Sequence, residues 1–140
     1  MPDRIATTFS HVKPGETPFV PGGLRDFFLY RDLGIAKATN GQVIAHHVKA
    51  HTAPESGTGW HRHEAHFQIV IMVKGWARFR YGDQETLVES GDVVHQRPSI
   101  SHCLFDYSPD MEYLEIVGPA DFGTVDVAPV RAVPMATPWR

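Results

Sequence analysis

His61, His63 and His66 fall within six residues of the stretch GWHRHEAHFQIVIMVKG (59–75). Imidazole binds divalent metals and titrates near neutrality, so these side chains could hold an ion or move protons. His61 and His63 are one residue apart, which on a strand places both on one face, where two rings can share a metal. Gln68 follows five residues after His63, and Val70 and Met72 share its strand parity. That face is polar at one end and apolar below, as a metal pocket requires. His66 also shares the parity of Gln68 and is a weak candidate for a catalytic proton shuttle; a rim position is the plainer reading. Glu64 reads as a solvated turn residue.

A second segment, GDVVHQRPSISH (91–102), runs from a turn glycine through a strand and a proline bend to His102. Either His95 or Gln96 must face inward here, and strand parity alone does not choose between them. His46, His47 and His51 form a further cluster, but neighbours on a strand face opposite ways, and no third partner is evident. Cys103, the single cysteine, excludes an internal disulfide and reads as a small core residue. Arg78 and Arg80 alternate with Phe79 and Tyr81, as on a half-exposed strand.

The elements that must position these residues are strands. Short β-type runs such as RDFFLY, QVIAHHV, FQIVIMV, ARFRY, ETLVE, HCLFDY and EYLEIV recur between Gly, Pro, Asn and Asp. Asn40-Gly41 reads as a tight hairpin turn with positive φ at both positions. Eleven prolines and the lack of helical periodicity argue against long helices. The pattern predicts an all-β jelly-roll barrel. At 140 residues a single domain is expected, with the barrel over roughly 42–117 and extended N- and C-terminal arms.

The two histidine segments resemble the motifs of the cupin superfamily. The first motif reads here as Gly57 and Gly59, His61, His63, four residues, Gln68, six residues, Gly75; the second as Gly91, Pro98 and His102. The resemblance implies one divalent metal, of the Fe, Mn, Zn or Ni kind, held by His61, His63, Gln68 and His102. Two positions depart from the pattern. Gln68 stands where the family has Glu, and Ser99 where it has a turn Gly, a change tolerable if φ stays negative. Gln is neutral and binds through its amide oxygen, so three imidazoles and Gln68 leave the full positive charge on the ion. That favours an anionic or enolisable small-molecule substrate.

Such sites resemble those of cupins that are non-haem iron dioxygenases or zinc enzymes such as polyketide cyclases. The expected activity is dioxygenase chemistry. An O2-independent isomerase, cyclase or lyase is the alternative, followed by a small-ligand-binding cupin without catalysis and a structural cupin with an incidental metal. The net charge of −3, with no basic block, predicts no nucleic-acid partner. The longest apolar run, IVIMV, is too short to span a membrane, and MPDRIATTFS has no apolar signal core, so a cytoplasmic location is expected. IVIMV is apolar on both faces, which predicts that a second subunit covers one of them in a homodimer.

Overall fold

The computed structural model describes residues 5–54 and 57–139. It contains ten strands and one short helix: β1 (Phe28–Asp32), α1 (Ile35–Ala38), β2 (Ile44–Ala50), β3 (His61–Glu64), β4 (Phe67–Lys74), β5 (Trp76–Tyr81), β6 (Gln84–Glu89), β7 (Val93–His95), β8 (His102–Tyr107), β9 (Glu112–Gly118) and β10 (Gly123–Asp126). They form two five-stranded sheets, ordered β1-β2-β9-β4-β7 and β10-β3-β8-β5-β6. The pairings within both are antiparallel. This is the expected all-β jelly roll.

Alternation builds the core. On β4, Gln68, Val70 and Met72 are buried, while Ile69 and Ile71 on the opposite face are only partly covered. Val48, Val70 and Met72 from the first sheet meet Ala77, Phe79, Val88 and Leu104 from the second in one apolar cluster. Strand β8 is buried along its whole length. Its partner β5 pairs Phe79 with Leu104 but Arg78 with Asp106, so Phe105 is an extra residue in the ladder. A bulge of this kind reverses side-chain parity. Tyr107 therefore enters the core, and Asp106 turns outward to accept bonds from the Thr137 N–H (3.0 Å) and hydroxyl (2.8 Å). Those bonds, with one from Trp139 Nε1 to the Tyr107 carbonyl (3.2 Å), strap the C-terminal arm to the sheet. Within that arm the structure adds β10, a strand that the Pro-rich composition had not suggested.

Two turns differ from expectation. Asn40 and Gly41 do have positive φ (53° and 85°), but they end α1 and do not join two strands. The Gly41 N–H donates to the Ala36 carbonyl (2.8 Å), the bond that closes a helix C-terminus around a left-handed residue. Ser99 has φ of 64°, not the negative value expected of it. The turn keeps the conformation glycine adopts freely, and the serine bears the strain. Among the described residues no helix is long and apolar enough to cross a membrane.

Candidate metal centre

Strand parity brings His61 and His63 to the inner face of β3, at 3% and 5% exposure. His102, the first residue of β8, pairs directly with His61 in the antiparallel register and is equally buried. The three ring centroids are 4.3–4.9 Å apart. Ligand nitrogens on the three rings lie within 4.8 Å of one another, so small rotations would let one ion bind all three.

The second nitrogen of each ring is already engaged. His61 Nδ1 meets the Gly59 carbonyl, His102 Nδ1 the Ile100 carbonyl and His63 Nδ1 the Thr124 hydroxyl, each at 2.9 Å. A carbonyl only accepts, so Nδ1 of His61 and His102 carries the proton and the Nε2 lone pair is free. This is how metal-binding histidines are oriented. Burial, reinforced by the neighbouring His102, lowers His61 to about 4 and His63 to about 3; burial also lowers His102. All three rings are thus neutral at pH 7, the form that binds metal.

Gln68 is 4% exposed and lines the same cavity. Its Nε2 donates to Glu115 Oε1 at 2.5 Å, which leaves the amide oxygen as its available metal donor. Glu115 lies on β9 opposite Val70 and is held above the usual carboxylate range by burial, with the Gln68 bond and Arg25 pulling it back. A carboxylate thus stands one hydrogen bond behind the neutral Gln68. An acidic side chain on a neighbouring strand, which the motif argument did not count, thus stands behind the ligand set.

The remaining candidates separate. Gln96, not His95, faces inward: it is 4% exposed, lines the cavity and donates from Nε2 to the Tyr81 hydroxyl (3.0 Å), whereas His95 is exposed. His66 lies in the break between β3 and β4, where parity counting from Gln68 fails. It is exposed, and it lines a different depression beside Asn40, Phe67 and Pro119. Glu64 is exposed as expected, but it is the last residue of β3, paired with Gly123, and not a turn residue. His46 borders a neighbouring cavity that Glu115 also lines, and His47 Nε2 pairs with Glu112 (2.9 Å). Cys103 is a core residue packed with Trp60 and Phe105, its thiol pushed up to about 11 by burial.

Two charged cavity residues escaped the sequence reading, Glu115 and Arg25. The first had a signal: in EYLEIV, alternation puts a lone acid between Tyr113 and Val117 on the buried face. Arg25 lies outside the strands, where no periodicity marks an inward residue.

A buried three-histidine cluster that could hold a metal ion, set inside an antiparallel jelly roll, is the architecture of a cupin. The cupin domain family matches residues 48–117, half of the sequence, and the chain belongs to that family. A comparison with curated protein sequences finds no match. Among solved structures, the fold is similar to the polyketide cyclase RemF from Streptomyces resistomycificus (TM-score 0.67, 14% identity, 86% of this chain and 87% of that one). It is also similar to a predicted oxalate decarboxylase from Thermotoga maritima (0.62, 21%, 79% and 99%). A third is hydroxypropylphosphonic acid epoxidase from S. wedmorenis (0.61, 16%, 83% and 64%). At these identities the likeness concerns the fold.

Proposed function

We propose that this chain is a metal-dependent enzyme acting on a small molecule, with one divalent ion held by Nε2 of His61, His63 and His102 and by the Gln68 amide oxygen. The observation that carries the reading is the engagement of all three Nδ1 atoms, which turns the Nε2 atoms of three neutral rings into one cavity and fixes the Nε2 lone pair free on His61 and His102. The donor set of imidazoles and one amide fits Fe, Mn, Zn or Ni better than the oxygen-seeking Mg or Ca. When bound, such an ion supplies Lewis acidity, and iron adds the capacity to work with O2. The reaction proposed is dioxygenation of an anionic or enolisable substrate. The protein's part is to seat the substrate over the apolar floor of Val70, Phe79 and Leu104 and keep bulk water away.

One observation favours the oxygen-independent reading. Glu115 lines the cavity with a pKa raised by burial, a state suited to taking a proton from carbon or oxygen and returning it. An isomerase, cyclase or lyase needs such a group. Iron-loaded and zinc-loaded protein should be offered a panel of enolisable carboxylates in an oxygen electrode, with products followed by mass spectrometry. Substrate-dependent O2 uptake with iron alone supports the dioxygenase. Turnover under argon with zinc supports the second reading, and binding without turnover in either form refutes both.

The proposed assembly is a homodimer in the cytoplasm. Ile69, Ile71 and Val73 form the outer side of β4, and Val93 pairs with Ile71 on the neighbouring strand. Val73 and Val93 are 44% and 65% exposed, an apolar strip that a second copy would cover. Sedimentation equilibrium at micromolar concentration tests this, and a clean monomer contradicts it.

A further inference from the structure

Arg25 shares the cavity of the three histidines, and its backbone is fastened there. Its N–H donates to the Tyr30 hydroxyl (3.0 Å), and its carbonyl accepts the Phe28 N–H (3.3 Å). Its Nη2 is buried without a hydrogen-bond partner among the described residues; Glu115 lines the same cavity and is drawn towards its charged form by Arg25, but no ion pair among the described residues joins the two. Arg cannot shed its charge by deprotonation. A buried cationic donor with nothing to bond is costly, and an ion on the histidines would add repulsion. An anion in the cavity relieves both.

Gln96 supplies a second unsatisfied group. Its Nε2 is taken by Tyr81, and its Oε1 is buried without a partner among the described residues. As drawn, the amide would accept a bond from a hydroxyl; turned over, it would donate to an oxo group. The cavity has a volume of about 40 Å³. A single water needs ~10–15 Å³ on this measure, so only a few heavy atoms fit. Leu24, at its lip, is 51% exposed, so any larger remainder of the ligand would lie outside.

We infer that Arg25 clamps the carboxylate of the substrate and Gln96 reads an adjacent oxygen, so that the molecule bound is a small hydroxy- or oxo-carboxylate, or a larger one that inserts such an end. This rests on the metal-enzyme reading above and names its substrate class. Arg25 bonds the carboxylate in the plane of its guanidinium, a pairing that favours Arg over Lys.

The test is titration calorimetry on zinc-loaded protein, where the redox-inert metal prevents oxidation. The probes are lactate, its neutral analogue lactamide, and acetate. Zinc affinity is measured first for wild type, R25Q, R25K and Q96L. All four should take zinc. Wild type should bind lactate at least tenfold more tightly than lactamide. R25Q should lose roughly tenfold or more in lactate affinity while lactamide binding stays unchanged, with R25K in between. Q96L should erase any preference for lactate over acetate. A wild type that takes no zinc overturns the metal reading and this inference with it. A zinc-loaded wild type that binds lactate no better than lactamide, or that binds none of the probes, overturns this inference alone. So does an R25Q or R25K variant that takes zinc and binds lactate as tightly as wild type.

Discussion

Gln68→Glu installs the acidic residue that the motif resemblance leads one to expect at this position, and from the motif alone it should simply tighten metal binding. The structure predicts a cost. Gln68 Nε2 donates to Glu115 Oε1 at 2.5 Å. Replacing the amide nitrogen by a carboxylate oxygen turns that bond into the contact of two acids. Unit charges about 4 Å apart repel by about 4 kcal/mol at an effective dielectric near 20. Protonation limits the penalty. Keeping one carboxyl neutral at pH 7, against an ordinary pKa of about 4.3, costs about 3.7 kcal/mol, and the proton restores a hydrogen bond. The metal-free variant should therefore lose about 3–4 kcal/mol of stability at pH 7 and only about 1 kcal/mol at pH 5. The sign follows from linkage. The pair's folded pKa is raised, so its stability is present at low pH and lost as pH rises.

The exchanged variant, Gln68→Glu with Glu115→Gln, keeps one acid and one amide in contact, with the bond reversed. It should recover to within about 1 kcal/mol of wild type, a coupling of about 2 kcal/mol or more between the two positions. It also moves the carboxylate to the position facing the histidines, so zinc binding should tighten beyond that of wild type. Urea unfolding of the four metal-free proteins at both pH values measures the coupling. A Gln68→Glu penalty that is the same with Glu or Gln at position 115 would refute the reasoning, because the two side chains would then not share a bond.

Thr124→Val removes the group that orients His63 through Nδ1. Zinc affinity should fall by roughly tenfold or more, read by chelator competition, with the circular dichroism spectrum preserved. In metal-free protein, His61 and His63 have pKa values lowered to about 4 and 3, below the 6.5 of the unfolded chain. Their stability contribution is complete above about pH 6.5 and is lost as pH falls towards those folded values, so urea midpoints should hold nearly level from pH 7.5 to about 6.5 and then fall through pH 5.5. A flat profile would contradict the burial of these rings. Ser99→Gly relieves a left-handed conformation at φ 64° and should raise stability by up to about 1 kcal/mol, measured by the same unfolding.

Much of the site follows from strand parity. The i, i+2 spacing of His61 and His63 fixes their common face, and the bend after Pro98 returns the chain to bring His102 beside His61. Parity failed where the strand breaks. Between β3 and β4 two residues leave the ladder, so counting back from Gln68 misplaced His66. Gln96 could not be told from His95 until Tyr81 was known to wait for its amide. The bulge at Phe105 and the positive φ of Ser99 come from the tertiary fit of the sheets, to which alternation is blind. Arg25 belongs to the same class: it reaches the cavity from outside the strands, and only the fold says where that residue lies.

The central claim is that His61, His63 and His102 hold one divalent ion. Metal content per chain, by mass spectrometry after loading with zinc and removal of excess, tests it on wild type and His102→Ala side by side. The account predicts about one ion per chain in the wild type and close to none in the variant, whose circular dichroism should match wild type because the apolar core below the site stands without it. Full occupancy in His102→Ala, or an empty wild type, would contradict it.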